Sequence, residues 1–197
     1  MTRISTHERV VADPPIARFL FSDTRMAIVW LAVRLYVGYA WLDAGLHKIQ
    51  DPGWMDTGLA LKGFWVNVTK IPPAPARPPI VFDWYRGFLQ FLLEGGTYTW
   101  FGKVIAVGEA AIGVALILGA FVGIAAMTGA FMNMNFLLAG SASTNPVLLL
   151  LAILLILAWK TAGHLGLDRL LLPMVGTPWK ATPMITPGDR IERRALA

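Results

Sequence analysis

Four ionisable side chains lie inside apolar stretches of this 197-residue chain, where a charge needs a physical reason. An unpaired charge at the centre of a bilayer costs roughly 3 kcal/mol or more, so such residues normally face a helix bundle, a partner or a water-filled pocket. They are therefore the first candidates for chemistry, as acids, bases or counter-ions. The four residues are Arg34, Asp43, Glu109 and Lys160.

Helical geometry sorts the polar residues of the first apolar stretch onto two faces, since successive residues are about 100° apart. One face carries Tyr36, Tyr39, Asp43 and His47. The opposite face carries Arg34, Gly38, Trp41, Gly45 and Lys48. One face can meet the centre of a bundle and the other a loop or a neighbouring helix. Asp43 and His47 are at i and i+4, so we expect them to share a proton or to hold each other in place.

Polar residues of the second and third stretches are expected at a similar depth. Glu109 lies in the second stretch, and Asn133 and Asn135 lie in the third. Because a lone arginine inside a membrane is expensive, we expect Glu109 to be the counter-ion of Arg34. Asn133 and Asn135 are about 200° apart on a helix, so only one of them can face the core.

Two interpretations of these residues stay open. In the functional one, they line a polar pocket near the outer face, where Glu109, Asp43 and His47 are the catalytic, proton-handling groups. The residues that bind the ligand are then Arg34, Lys48, Asn133 and Asn135. In the structural one, Arg34, Asp43 and Glu109 form a buried ion-pair network that only fixes the register of the helices.

The composition indicates a membrane protein. Hydrophobic residues make up 56% of the chain and charged residues 15%, against roughly 25% charged in an average soluble domain. A helix that crosses a bilayer needs about 20 apolar residues. The sequence therefore predicts an all-α, integral membrane four-helix bundle, with spans at about residues 26–46, 104–121, 123–139 and 147–162.

A long loop, residues 47–101, separates the first two spans and is too apolar to be a plain linker. Residues 54–70 and 82–94 predict short amphipathic helices, and the proline-rich residues 71–79 predict an extended segment between them. Trp and Tyr concentrate at membrane interfaces, so this aromatic loop is expected to form a cap at the outer headgroup level.

Charges outside the spans predict the orientation of the chain. Residues 1–25 and 173–197 are rich in arginine, whereas the charges of the loop are balanced. We therefore expect a multi-pass protein of the cell membrane whose N-terminal arm and C-terminal tail are both cytoplasmic. We attribute the net charge of +5 to the arginines that set this orientation and not to a nucleic-acid-binding surface. We therefore expect membrane lipids as partners and no nucleic acid.

The chain contains no cysteine and three histidines. Thiolate chemistry, iron–sulfur clusters and cysteine-attached haem are therefore excluded in this chain. His47 and His164 are expected at opposite membrane faces, so neither a haem nor a metal site is expected. Any redox role must use a bound organic cofactor or a partner subunit.

Several motifs, taken in order, resemble the DoxX/DoxD family of four-helix membrane proteins over residues 26–172. They are Arg34 in the first span, GLHKI at 45–49, GEAAIG at 108–113, LILG at 116–119 and GHLGLDR at 163–169. The resemblance implies that Arg34, Lys48 and Glu109 belong to the working site. DoxD is the membrane subunit of thiosulfate:quinone oxidoreductase, so it also implies a membrane quinone and partner subunits of a redox complex. Gly166 stands where the family usually has a serine.

Two functions from different classes follow. The first is a membrane subunit of a quinone-linked oxidoreductase, such as thiosulfate dehydrogenase (quinone). The second is a non-catalytic membrane anchor or accessory subunit of a larger respiratory or photosynthetic complex, which the lack of a metal-ligand set or covalent cofactor motif favours. A transporter is disfavoured because the chain has no paired interrupted helices and no inverted repeat.

Overall fold

A computed structural model describes residues 13–176, and the regular secondary structure of that range is entirely helical. The all-α prediction is therefore confirmed. The outer parts of the predicted arm and tail, residues 1–12 and 177–197, lie outside the described residues. A 3-10 turn at Thr24–Met26 precedes the longest helix. The helices are α1 (Pro15–Ser22), α2 (Ala27–Gln50), α3 (Pro52–Met55), α4 (Leu59–Val68), α5 (Asp83–Glu94), α6 (Tyr98–Leu118), α7 (Val122–Leu138), α8 (Asn145–Leu157), α9 (Trp159–Gly163) and α10 (Asp168–Met174).

Two segments are long and apolar enough to cross a membrane, judged by length and composition. They are Thr24–Gln50, which contains α2, and Tyr98–Leu118, which is α6. α7 and α8 are apolar but shorter. The predicted fourth span is interrupted at Ala158, because α8 ends just before this residue and α9 begins just after it.

The four longest apolar helices pack around one core, with α2 mainly against α6 and α7 mainly against α8. Val37, Leu116, Val122 and Leu155 are fully buried in this core. Glycines let α2 and α6 approach closely, which is a common packing device of apolar helices. A Cβ atom on Gly38 would lie 2.9 Å from the Ile117 side chain, and one on Gly45 or Gly113 would overlap the backbone of the facing helix.

The loop between α2 and α6 folds onto one end of the bundle, which we call the cap end. Its own core contains Leu61, Trp65, Ile80, Tyr85 and Leu89. The predicted helix at 82–94 is confirmed as α5, and residues 71–79 are non-helical as predicted. The predicted helix at 54–70 is divided into α3 and α4 at Gly58, whose φ is +70°. A side chain at Gly58 would overlap the Tyr98 carbonyl, so the division allows close packing on α6.

The opposite end, which we call the turn end, is closed by the α6–α7 turn together with α1, α9 and α10. Two hydrogen bonds of 2.7 Å hold α1 in place: Trp30 Nε1 donates to the Leu20 carbonyl, and Thr161 Oγ1 donates to the Phe21 carbonyl. The segment before α2 is therefore docked on the bundle, whereas the sequence predicts a cytoplasmic arm there.

Candidate functional site

The two faces predicted for α2 are present in the fold. Arg34, Gly38, Trp41 and Gly45 are buried against the other helices. The opposite face is exposed and carries Tyr36, Tyr39, Asp43 and His47. The face with the arginine and the glycines is thus the one that meets the bundle.

Glu109 lies in the middle of α6 and is 2% exposed. Its Oε2 atom accepts a hydrogen bond of 2.6 Å from Lys48 Nζ, at the last turn of α2. The Lys48 side chain is 22% exposed, so the pair reaches the surface through the lysine. An unpaired buried carboxylate costs several kcal/mol, and Lys48 supplies the compensating charge.

The cap covers this ion pair. The Trp54 ring of α3 lies with its centre 5.3 Å from Lys48 Nζ, within the range of a cation–π interaction. Gly102 of α6 lets α3 come close, since a Cβ there would lie 3.0 Å from the Trp54 carbonyl oxygen. Glu109 lies about 16 Å along α6 from its first residue, Tyr98, so the first turns of α6 stand within the cap.

Two further buried polar groups lie near this level without a hydrogen-bond partner among the described residues. They are the side-chain amide of Asn133, with both Nδ2 and Oδ1, and Trp41 Nε1. Asn133 is 0% exposed and Trp41 is 3% exposed. Burying an unpaired polar group costs about 1–3 kcal/mol, so each such group calls for an explanation.

Helix packing puts Asn133 close to the height of Glu109 and the Trp41 indole about one turn nearer the turn end. A Cβ on Gly129, one turn before Asn133 on α7, would lie 3.1 Å from Trp41 Nε1. A Cβ on Gly108 of α6 would lie 3.9 Å from Met132 Sδ of α7. Asn133 and Glu109 follow these two facing residues, so they lie at the same level of the bundle. We refer to Lys48, Glu109, Trp54, Trp41 and Asn133 as the Glu109 cluster.

Arg34 lies at the turn end, and the prediction that it pairs with Glu109 is wrong. Its Nη1 donates to the Ala162 carbonyl and its Nη2 to the Leu165 carbonyl, both at 3.1 Å. Arg34 and Lys48 are about 21 Å apart along α2, so the lysine and not the arginine is at the height of Glu109.

Asp168 supplies the negative charge at the turn end. Its carboxylate accepts hydrogen bonds from the backbone N–H of Phe121, at 2.5 Å, and of Val122, at 2.9 Å. It thereby caps the N-terminus of α7, where a negative charge is favourable. Burial raises the pKa of the Asp168 carboxyl, while the two N–H donors and the Arg34 charge act in the opposite direction.

We refer to Arg34, Gly119, Gly166 and Asp168, with the carbonyls of Ala162 and Leu165, as the Arg34 cluster. Side chains at Gly119 or Gly166 would overlap the Arg34 guanidinium. Asp168 is a residue that the sequence analysis missed as a site residue. Its signal was the GHLGLDR motif at 163–169, where a buried acid follows two glycines.

Asp43 and His47 do form the predicted i, i+4 pair, with His47 Nδ1 3.6 Å from Asp43 Oδ1. Their side chains are 50% and 76% exposed, respectively. They therefore point away from the bundle, and the structure does not bring them together with Glu109. A shared interior cavity for all three predicted proton-handling residues is not formed within residues 13–176.

Asn135 faces the cap, and Asn133 faces the core, as their angular separation predicts. The Tyr85 hydroxyl donates to the Asn135 carbonyl at 3.0 Å and to Asn135 Oδ1 at 3.2 Å. Asn135 Nδ2 donates to the Phe131 carbonyl at 2.8 Å. Asn135 therefore links α7 to α5. In the described part of the chain, no group of three or more His, Cys, Asp or Glu residues is placed to hold a metal ion.

No protein-family model, curated protein or solved structure matches this chain. The resemblance to the DoxX/DoxD family therefore depends on the motif residues alone. The fold divides those residues between the two clusters: Lys48 and Glu109 lie in one, and Arg34, Gly119 and Asp168 lie in the other.

Proposed function

We propose that this chain is a multi-pass membrane subunit of a quinone-linked oxidoreductase of the DoxX/DoxD type, with the quinone headgroup bound at the Glu109 cluster. One observation carries the proposal. A fully buried carboxylate, paired with a lysine that reaches the surface, lies within about one helical turn in height of an amide and an indole N–H that have no partner among the described residues.

These residues fit the chemistry of a quinone headgroup, which presents carbonyl oxygens on an apolar ring. Asn133 Nδ2 and Trp41 Nε1 each carry an N–H that can donate to a carbonyl oxygen. A bound quinone accepts two electrons and two protons when it is reduced. Glu109 is the buried group that can hold a proton beside it, and Lys48 compensates the charge when that proton is absent.

The electrons have to come from outside this chain. The resemblance implies thiosulfate as the reductant: two thiosulfate anions join through a new S–S bond and release the two electrons that one quinone requires. When Glu109 holds a proton, Lys48, which is partly exposed beside the cap, adds positive charge on the side where we expect an anion to approach. This chain has no cysteine, so the reaction with the anion needs a bound cofactor or a partner subunit, and the resemblance implies a partner subunit.

We further propose that α2, α6, α7 and the α8–α9 pair cross the cell membrane. An even number of crossings returns the chain to the side from which it started. The arginine-rich segments that flank the crossings then put both termini in the cytoplasm, with the cap on the outer face. The apolar exposed faces of α6, α7 and α8 support this arrangement.

The test compares Glu109→Gln with Glu94→Gln in membranes that carry the full chain and its partners. Glu94 is an exposed carboxylate at the end of α5, so its substitution is the same chemical change outside the cluster. Thiosulfate-dependent quinone reduction should fall about 100-fold or more for Glu109→Gln, within the range of general acid–base catalysis. It should be unchanged for Glu94→Gln. Equal rates at equal protein levels would refute the proposal.

The second candidate is a non-catalytic accessory subunit, and the Arg34 cluster favours it. Arg34 donates to backbone carbonyls and Asp168 accepts from backbone N–H groups. These two motif residues therefore stabilise the fold. Solvent extraction of the purified protein separates the two functions. Quinone at about one molecule per chain supports the oxidoreductase, whereas a chain that is stable only with partner subunits and contains no quinone supports the accessory role.

A further inference from the structure

The exposed faces of the long helices differ in chemistry. From Val104 onward α6 exposes no ionisable side chain, and neither do α7 and α8. The centre of the exposed face of α2, in contrast, carries a stripe of polar residues, which are Tyr36, Tyr39, Asp43 and His47. Large apolar residues typical of the other faces are Val107 and Val114 on α6, Met127 and Phe131 on α7, and Leu150 and Ile153 on α8.

The position of the polar stripe makes lipid an unfavourable neighbour. Tyr36 and Tyr39 lie about 14 and 18 Å from the start of α2, in the middle of a helix about 36 Å long. Tyrosine prefers the headgroup level, and a carboxylate inside the hydrocarbon costs up to about 3 kcal/mol. Tyr39 is nevertheless 66% exposed and the Asp43 side chain 50% exposed in this chain. No other described element covers the stripe.

We propose that the polar stripe of α2 is the contact between two copies of this chain in the membrane. The stripe is complementary to itself, because it holds both donors and acceptors of hydrogen bonds. The hydroxyls of Tyr36 and Tyr39 and a ring N–H of His47 can donate, and the Asp43 carboxylate can accept.

The symmetry of a membrane dimer also favours a second copy of this chain as the partner of the stripe. Two copies inserted with the same topology are related by a two-fold axis along the membrane normal, so the same helix face meets itself. Side chains of a parallel helix pair interdigitate, so Tyr39 of one copy can lie beside Asp43 of the other, one turn away along the helix. Hydrogen bonds between facing helices are a recognised source of association in lipid. The inference depends on the proposed membrane crossing of α2 and not on the proposed quinone chemistry.

The chain has no cysteine, so single introduced cysteines can be cross-linked without background. Tyr39→Cys places a thiol on the polar stripe, and Val107→Cys places one on the apolar face of α6, with comparable exposure of 66% and 50% in the native residues. Carbonate-washed membranes are oxidised with copper phenanthroline and separated on a non-reducing gel. We expect a species of twice the chain mass for Tyr39→Cys and a monomer for Val107→Cys.

A second measurement covers the case in which the cysteine itself weakens the contact. The double variant Tyr36→Leu, Asp43→Leu should lose most of the dimer seen by light scattering of the purified full chain in mild detergent. The control Val107→Leu, Val114→Leu should keep it. A monomeric native chain, equal cross-linking at both cysteine positions, or a cross-link to another protein would overturn the pairing of copies.

The result separates this inference from the proposed function. Loss of the chain in the carbonate wash would overturn the membrane crossing and the pairing together. A chain that stays in the membrane but does not cross-link overturns the pairing alone. Quinone content and thiosulfate-dependent activity do not enter either measurement, so their failure would leave the dimer intact.

Discussion

The Arg34 cluster and the Glu109 cluster both bury an ionisable side chain at 2% exposure, but they use their polar atoms differently. At the turn end, Arg34 donates to two backbone carbonyls and Asp168 accepts from two backbone N–H groups. In the Glu109 cluster, the counter-ion reaches the surface, and an amide and an indole N–H have no partner among the described residues. Arg34 Nε also has no partner among the described residues, but the other polar side-chain atoms named in that cluster are bound to the backbone. Such bonds stabilise a fold, whereas a group of polar atoms without partners leaves a ligand something to bind.

The largest effect expected from this difference is that of Arg34→Leu. Removing the arginine takes away a positive charge that acts on Asp168 and leaves two buried carbonyls without donors, at a cost of about 3–5 kcal/mol. The control is Arg25→Leu, because Arg25 is exposed and pairs with Asp23 at the surface. Such pairs contribute about 0–1 kcal/mol. Size-exclusion chromatography after heating in detergent measures the folded fraction, and equal heat resistance of the two variants would contradict the structural role of Arg34.

The next effect is that of Gly119→Ala, where the new Cβ would overlap the Arg34 guanidinium. Gly119 has a φ of +68°, so part of the cost is backbone strain. Gly96→Ala isolates that part, because Gly96 has a φ of +65° and an added Cβ there would meet no described atom within 4 Å. We expect Gly119→Ala to cost about 1–3 kcal/mol more than Gly96→Ala, the usual range for overpacking. A similar loss in both would show that Arg34 moves aside freely.

The sequence predicted the helices well and the partners of the charges less well. Apolar runs and turn residues placed α2, α5 and α7 within a few residues, whereas α6 begins well before the predicted residue 104. Helical geometry separated the two faces of α2 but did not predict which of them is buried. The pairing of Arg34 with Glu109 failed for a physical reason. In the register of α2 on α6, Gly45 faces Ala110 beside Glu109, whereas Arg34 faces Gly119 at the other end of α6, and the sequence does not reveal this register.

The partners that the sequence did not reveal are mostly backbone groups. The carbonyls of Ala162 and Leu165 accept hydrogen bonds from Arg34. Every residue has a backbone carbonyl, so the sequence does not show which ones will do so. The close contact of Gly113 with the backbone of Leu42 on α2 was likewise not predicted. The missing partners of Trp41 and Asn133 become visible only when the helices are placed together.

A smaller effect is expected for Lys48→Met. This variant leaves Glu109 without its cation, but the carboxylate can take up a proton instead, so we expect a loss of about 2 kcal/mol. Glu109→Gln should cost about 1 kcal/mol, because Lys48 can turn to the surface. The double variant should recover most of the loss of Lys48→Met. Thermal unfolding of all four proteins gives the coupling between the two residues, and additive losses would contradict a direct ion pair.

The smallest change in stability, and the sharpest separation of binding from folding, is expected for Asn133→Leu. Leucine has a similar size and removes an amide that is buried without a partner among the described residues, so the folded state should be unchanged or about 1 kcal/mol more stable. The bound quinone should fall at the same time, because a donor for its carbonyl is lost. Asn135→Leu is the matched control: it removes the hydrogen bond from the Tyr85 hydroxyl to Oδ1, so it should cost about 1 kcal/mol and leave the quinone content unchanged. If Asn133→Leu destabilises the protein as much as Asn135→Leu and keeps its quinone, the Asn133 amide stabilises the fold. The Glu109 cluster would then be structural, like the Arg34 cluster.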